Sequence, residues 1–374
     1  MKINIFLHME SKFYGILAIT IIIAFSVGFT IDMYDIVPTK TIKNLVVSQE
    51  IIHSQNYDND VFSLINVVDN NSKNKIKNDL NQFIWKKNSL PDDIPTLIEK
   101  DIIDSKYSNM KNLKTIDKFT IEMEHDVNSI IYFFKPMISN DKLIIYHQGH
   151  RGDFYEGKET IEYFLEKNYS VAAFSMPLLG MNSQPIIDNK YLGKIKLQSH
   201  NQFELLENDD FTPIKFFIEP IIISNNYFDN NYNFDSYYMI GISGGGWTAT
   251  LAAAIDDRIS QTYSIAGSYP IFLRSEPENF GDYEQHHLEL YEKSNYLDLY
   301  TLASIGDNRK FIQIFNKYDP CCFSGEAFQE YEDIIKKTVD KLGSGTFDIY
   351  LDDTHKEHII SVYALELIID EING

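Results

Sequence analysis

Ser236-Tyr237-Tyr238-Met239-Ile240-Gly241-Ile242-Ser243-Gly244-Gly245-Gly246-Trp247 decides the reading of this chain. An apolar run ends in Gly241-x-Ser243-x-Gly245. An Ala-rich, helix-compatible run from Thr248 to Ile255 follows at once. Strand, sharp turn and helix in that order form the context of a nucleophile elbow. The turn strains the serine backbone, and only small residues fit beside it because strand and helix approach closely. Ser243 Oγ then stands free above the sheet, next to helix-terminal N–H groups that can hold a negative oxygen. The bland reading is a Gly-rich turn in another α/β protein, with Ser243 merely capping the helix. A phosphate loop is excluded, since neither GKS nor GKT follows the glycines.

The chain has 374 residues, room for one large α/β domain and extra material. With 44% apolar residues, 25 Phe and 24 Tyr it can build a substantial core. Its formal charge of −21 argues against free nucleic acid as a partner. The two cysteines, Cys321 and Cys322, are adjacent, so they give neither a disulfide framework nor a four-ligand zinc site. A vicinal disulfide and two buried thiols are the alternatives, the thiols being the simpler.

Phe13 to Ile31 runs 19 residues without a charge, behind Lys2 and Lys12 and before Asp32 and Asp35. At 1.5 Å per residue it nearly spans a bilayer core. Ala24-Phe25-Ser26 is a poor cleavage site, so residues 1–35 read as an uncleaved signal anchor, ahead of a cleaved signal or a buried helix. The expected product is membrane-anchored through this segment, with its large domain outside the cytoplasm, and secreted or periplasmic if the segment is cleaved. Residues 36–118 read as a spacer or cap of short helices, with a turn at Asp69-Asn70-Asn71-Ser72 and packing through Trp85.

The domain proper is expected over 119–374. Phe119–Met123 and Ser129–Phe134 look like a hairpin. Lys142–Tyr146, Val171–Phe174, Ile259–Ala266, Phe311–Phe315 and Phe347–Leu351 are short apolar runs separated by helix-compatible segments. That alternation predicts a mostly parallel sheet. A helix capped by Thr212, with Pro213 at its first position, is kinked or ended by Pro220. Insertions are expected at about 181–210 and 267–309. The Asp282–His287 group in the second is read as surface carboxylates with a capping histidine rather than a metal site.

Three further stretches bear on chemistry. Asp319 follows the run Phe311–Phe315 directly, where a carboxylate can reach a histidine on a neighbouring loop and fix its tautomer. The loop after Leu351 holds His355 and His358, which compete for the role of general base. His358 is preferred because several residues between strand and base let the loop fold back to the serine. His147-Gln148-Gly149-His150-Arg151-Gly152-Asp153 leaves another strand end. Its histidines suggest metal only weakly, with no third histidine nearby.

These marks, Gly241–Gly246, the 147–153 loop, Asp319 and the terminal histidine pair, together resemble the α/β-hydrolase superfamily over about residues 119–372. The resemblance implies Ser243 as nucleophile, Asp319 as acid and His358 as base, in the chain order of that superfamily. It implies an oxyanion hole from the Gly244 N–H together with that of Gly149 or His150. The expected activity is serine carboxylic ester hydrolysis through an acyl-enzyme, on a small-molecule or glycan-linked acyl ester, with no cofactor and no metal. The alternatives are a catalytically silent scaffold of the same fold, and an acyltransferase or peptidase using the same triad.

Overall fold

The computed structural model describes residues 60–274 and 279–374. The signal-anchor segment at 13–31 lies outside them. Among the described residues no helix is long and apolar enough to cross a membrane.

Eleven strands follow one another along the described chain: β1 (Leu97–Ile102), β2 (Leu113–Glu122), β3 (Asn128–Pro136), β4 (Lys142–His147), β5 (Ser170–Phe174), β6 (Ile186–Asn189), β7 (Gly193–Lys196), β8 (Ser236–Ile242), β9 (Ile259–Ile265), β10 (Lys310–Asn316) and β11 (Thr346–Asp352). Nine of them make one sheet in the order β1-β2-β3-β5-β4-β8-β9-β10-β11. The pairs from β5 through β11 are parallel, and β1, β2 and β3 add an antiparallel edge.

Side chains of the central strands alternate between two cores. Leu143, Ile145, Met239, Phe311 and Phe315 face one, and Ile144, Tyr146, Ile240, Ile312 and Ile314 face the other. Both faces are therefore buried. This is why these strands read as continuous apolar runs rather than as apolar–polar alternation.

The main helices are α1 (Asn70–Trp85), α2 (Lys158–Glu166), α3 (Lys215–Asn231), α4 (Gly244–Ile255), α5 (Tyr296–Ser304), α6 (Glu332–Leu342) and α7 (Val362–Asn373). Helices α2 and α7 cover the second core through Ile161, Phe164, Leu365 and Ile368. The others pack on the first. Every residue of α4 is buried, and its Ala-rich face lets it lie close to β8 and β9.

Four expectations are corrected. Residues 97–118, read within a helical spacer, supply β1 and most of β2, so the sheet begins well before 119. The β1 sequence Leu-Ile-Glu-Lys-Asp-Ile is a charged, largely exposed edge strand and carries little apolar signal. Asp69 does not make a free turn. Its side chain accepts from Ser72 N–H at 2.8 Å, and Ser72 Oγ accepts from Asp69 N–H, a reciprocal cap that starts α1. Pro220 does not end α3, which runs on to Asn231, because Ile221, Ile222 and Phe228 bury there. The stretch read as an insertion at 267–309 ends in α5, the helix that crosses from β9 to β10, so the extra material lies ahead of residue 296.

Two buried polar residues, Glu219 and Asp298, help dock the N-terminal part of the described chain. Trp85 Nε1 donates to Glu219 Oε2 at 2.9 Å. Buried Asp298 on α5 accepts at Oδ1 from the main-chain N–H of Asn66 (2.7 Å) and Val67 (3.0 Å), and at Oδ2 from the side chains of Asn66 (2.8 Å) and Asn295 (3.0 Å).

Candidate active site

The parallel strands end in register. His147 of β4 pairs with Gly241 of β8, Gly241 with Ser264 of β9, and Asn316 of β10 with Asp352 of β11. The loops leaving these ends share one edge of the sheet, where α/β proteins place ligands.

Ser243 leaves β8 with φ 57° and ψ −127° and is the N-cap of α4. A non-glycine residue holds this conformation at a cost of roughly 1–3 kcal/mol, and only when its surroundings impose it. Here the Ser243 N–H donates to Ile265 O at 2.9 Å, while its carbonyl accepts from Gly246 and Trp247 at 2.8 and 3.1 Å. The main chain is fixed on both sides and the side chain is left half-buried at the strand end. Gly244 opens α4, so its N–H has no acceptor within the helix.

Gly149 lies directly over the serine. A Cβ there would sit 2.6 Å from Ser243 Cβ and 2.7 Å from Ile242 O. The loop after β4 thus touches the elbow with bare backbone. It is held by Gln148 N–H to Phe174 O at 2.9 Å and by a Tyr146 Oη to Gln148 Oε1 hydrogen bond. His147 is buried, bonded through Nδ1 to Gln148 O at 2.9 Å, and burial lowers its pKa to about 4.

Past β10, Asp319 is 4% exposed. Its Oδ1 accepts from the N–H of Cys321 (2.8 Å) and Cys322 (3.2 Å), and its Oδ2 lies 2.6 Å from His358 Nδ1. Asn316 Nδ2 adds a contact to Oδ2 at 3.3 Å and bonds Ile359 O at 3.0 Å, tying the two loops together. With Nδ1–H given to the carboxylate, Nε2 of His358 carries the lone pair. That atom is buried and makes no hydrogen bond. His355 turns the other way, with Nε2 3.2 Å from Asp352 Oδ2 and Nδ1 accepting from Glu357 N–H. Cys321 and Cys322 are joined by a disulfide, and Cys321 is exposed, in place of the two buried thiols expected.

A second polar cluster adjoins the elbow. The His150 ring packs on Gly244, where an added Cβ would meet its Cε1 at 2.4 Å. Its Nε2 faces His200, Asp282 and Glu284. Burial works against charge on His150, but the Glu284 and Asp282 carboxylates override it and raise its pKa above the ordinary value. Burial likewise works against the Glu284 carboxylate, and His200 and His150 outweigh it and hold its pKa well below the ordinary range. The sequence reading missed His200 altogether and treated Glu284 as surface. A separate hollow of about 610 Å³, lined by residues that include Glu207, Tyr283 and His287, contains none of the elbow residues.

No family model matches the chain, and no curated protein matches it in sequence. The fold does have solved counterparts. The mostly parallel sheet between helices, with a strained serine at the end of a central strand, is an α/β-hydrolase-like fold, and esterases share it. Acetyl xylan esterase 1 from Thermoanaerobacterium sp. JW/SL YS485 aligns over 80% of this chain and 92% of its own, with TM-score 0.54 and 14% identity. The esterase Pf2001 of Pyrococcus furiosus aligns over 75% and 98%, with TM-score 0.50 and 15% identity. The methylesterase BT1017 aligns over 83% of this chain and 66% of its own, with TM-score 0.56 and 11% identity.

Proposed function

We propose that the protein is a serine hydrolase of carboxylic esters that works through an acyl-enzyme. One observation carries this reading: the strained Ser243 and the Asp319–His358 pair leave parallel strands at the same edge of the sheet, and an unpartnered Nε2 remains on the histidine. In this mechanism His358 Nε2 takes the proton of Ser243 Oγ as the oxygen attacks the ester carbonyl. Asp319 fixes the tautomer and stabilises the imidazolium. The tetrahedral oxyanion is held by the Gly244 N–H and by a main-chain N–H of Gly149 or His150. His358 then protonates the leaving alcohol, and water, deprotonated by the same ring, releases the acid. No step draws on a cofactor.

The proposed substrate is an acyl ester on a small molecule or a glycan. Anchoring through the segment 13–31, with the catalytic domain outside the cytoplasm, belongs to the same proposal, and protease accessibility in intact cells tests it.

The deciding experiment is fluorophosphonate labelling of the purified protein, read by mass spectrometry, with Ser243→Ala as control. A single adduct on Ser243, absent from the variant, is expected. Folded protein that takes no label between about pH 6 and 9, where the histidine is to act as base, would leave the silent-scaffold reading in its place.

A further inference from the structure

Four side chains from three distant loops converge beside the elbow. His150 comes from the loop after β4, His200 from a 3₁₀ turn (His200–Leu205), and Asp282 and Glu284 from the start of a short helical turn (Tyr283–His286). One potential ligand atom from each lies within 4.8 Å of all the others. His150 Nε2 is 3.0 Å from His200 Nδ1, 3.0 Å from Glu284 Oε1 and 3.2 Å from Asp282 Oδ2, and His200 Nδ1 is 3.2 Å from Glu284 Oε2.

These contacts do not close as hydrogen bonds. His200 Nε2 lies 2.9 Å from Pro177 O, which can only accept, so its ring proton is spent there and a neutral His200 presents a lone pair at Nδ1. That lone pair faces Glu284 Oε2, acceptor against acceptor. His150 Nε2 has at most one proton for three neighbours. Protonating His200 as well would set two N–H groups against each other across 3.0 Å. Glu284 is fully buried, and its Oε1 has no hydrogen-bond partner, although it points into the cluster.

We propose that His150, His200, Asp282 and Glu284 form a binding site for a divalent first-row transition cation, zinc foremost. Two imidazoles and two carboxylates are a donor set that suits zinc. Donor atoms about 2.0–2.2 Å from a shared tetrahedral centre stand roughly 3.3–3.6 Å apart. The contacts of His150 with its three neighbours and of His200 with Glu284, at 3.0–3.2 Å, lie a few tenths of an ångström short of this, and one ligand atom of each residue lies within 4.8 Å of the others. Two carboxylates with two neutral imidazoles sum to −2, which a divalent ion neutralises at this half-buried site. Pro177 O already orients the His200 ring, as outer partners of metal-bound histidines do. The ion would join three loops that share no strand pairing and would fix the His150 ring against Gly244. It acts as a clamp on the wall of the candidate active site, and the hydrolytic chemistry proposed above does not depend on it.

The test uses the full chain purified in detergent without chelator, and reads metal rather than hydrolysis, so it is independent of the esterase reading. Metal analysis is expected to find about one equivalent of zinc per chain, and the chelated protein should recover it. Cobalt(II) added to the chelated protein should give visible d–d absorption, lost in His200→Gln. Asp282→Asn, at a partly exposed position, should keep the fold and bind at least about tenfold more weakly. The proposal is overturned if the folded wild-type chain holds less than about 0.1 equivalent and gives no cobalt bands. It is equally overturned if Asp282→Asn and His200→Gln both bind as the wild type does.

Discussion

Asp319 divides its carboxylate between two tasks: Oδ1 is held by the consecutive main-chain amides of Cys321 and Cys322, and Oδ2 lies 2.6 Å from His358 Nδ1. The carboxylate is therefore positioned by backbone, and its free side meets only the histidine and Asn316. Asp319→Asn is expected to lower kcat by roughly 10³–10⁴-fold with little change in KM, because the amide can present the wrong partner to Nδ1. His358→Ala should do the same. His355→Ala, whose ring points at Asp352, should cost less than about tenfold. Steady-state kinetics on a chromogenic short-chain ester compare the three. Equal losses for His355→Ala and His358→Ala would remove His358 from its special place.

Gly149→Ala tests the close approach over the serine. Its methyl would overlap Ser243 Cβ and Ile242 O, so the loop must retreat. Overpacking of this kind costs about 1–3 kcal/mol. A displaced oxyanion donor costs about 10²–10³-fold in rate. The fluorophosphonate labelling rate and the unfolding midpoint are expected to fall together. A variant that labels at the wild-type rate would mean that this loop contributes no donor.

His147 carries a pH dependence of stability. Burial lowers its folded pKa to about 4, against an ordinary 6.5. Between those values the unfolded chain binds a proton that the folded chain refuses. The stability from this group is therefore complete above pH 6.5 and is lost as pH falls towards 4. The shift corresponds to about 3 kcal/mol. Urea midpoints at pH 7 and near pH 4.5 should differ more for the wild type than for His147→Gln. An identical acid dependence in both proteins would contradict the assignment.

Trp85→Phe keeps the ring packing of α1 and removes the bond to Glu219 Oε2. The oxygen sits in a largely buried place and keeps only its ion pair with Lys215 Nζ at 3.2 Å. A loss of about 1–2 kcal/mol is expected by equilibrium unfolding, with hydrolysis unaffected. A neutral result would show that Lys215 alone satisfies Glu219 there.

What the sequence disclosed follows from the range of each signal. The central strands were legible because burial on both faces leaves unbroken apolar runs such as Leu143–Tyr146 and Phe311–Phe315. The elbow was legible because its demands on Gly241, Ser243 and Gly245 are local. β1 was not, because an exposed edge strand with Glu99, Lys100 and Asp101 has no apolar rhythm. Asp69 and Ser72 were read as a turn because a reciprocal helix cap and a turn use the same residue types. Pro220 was read as a kink or an end, since local propensity carries no information about the tertiary burial of Ile221 and Ile222. The His150–His200–Asp282–Glu284 cluster was hidden for a stronger reason. Its members belong to three loops whose meeting depends on the whole sheet, and no spacing in the chain records it.

The bonds from Asn66 and Val67 to Asp298 also set a mechanical load path. A pull on the chain at residue 60 is taken up at Asn295, which donates to Leu64 O at 2.7 Å, and at Asp298, and passes into α5, which packs on α4. The hydrogen-bonded ladder of the sheet lies outside that path. Tension at this end therefore strains a helix-to-loop latch before it stretches any strand that carries Ser243, Asp319 or His358.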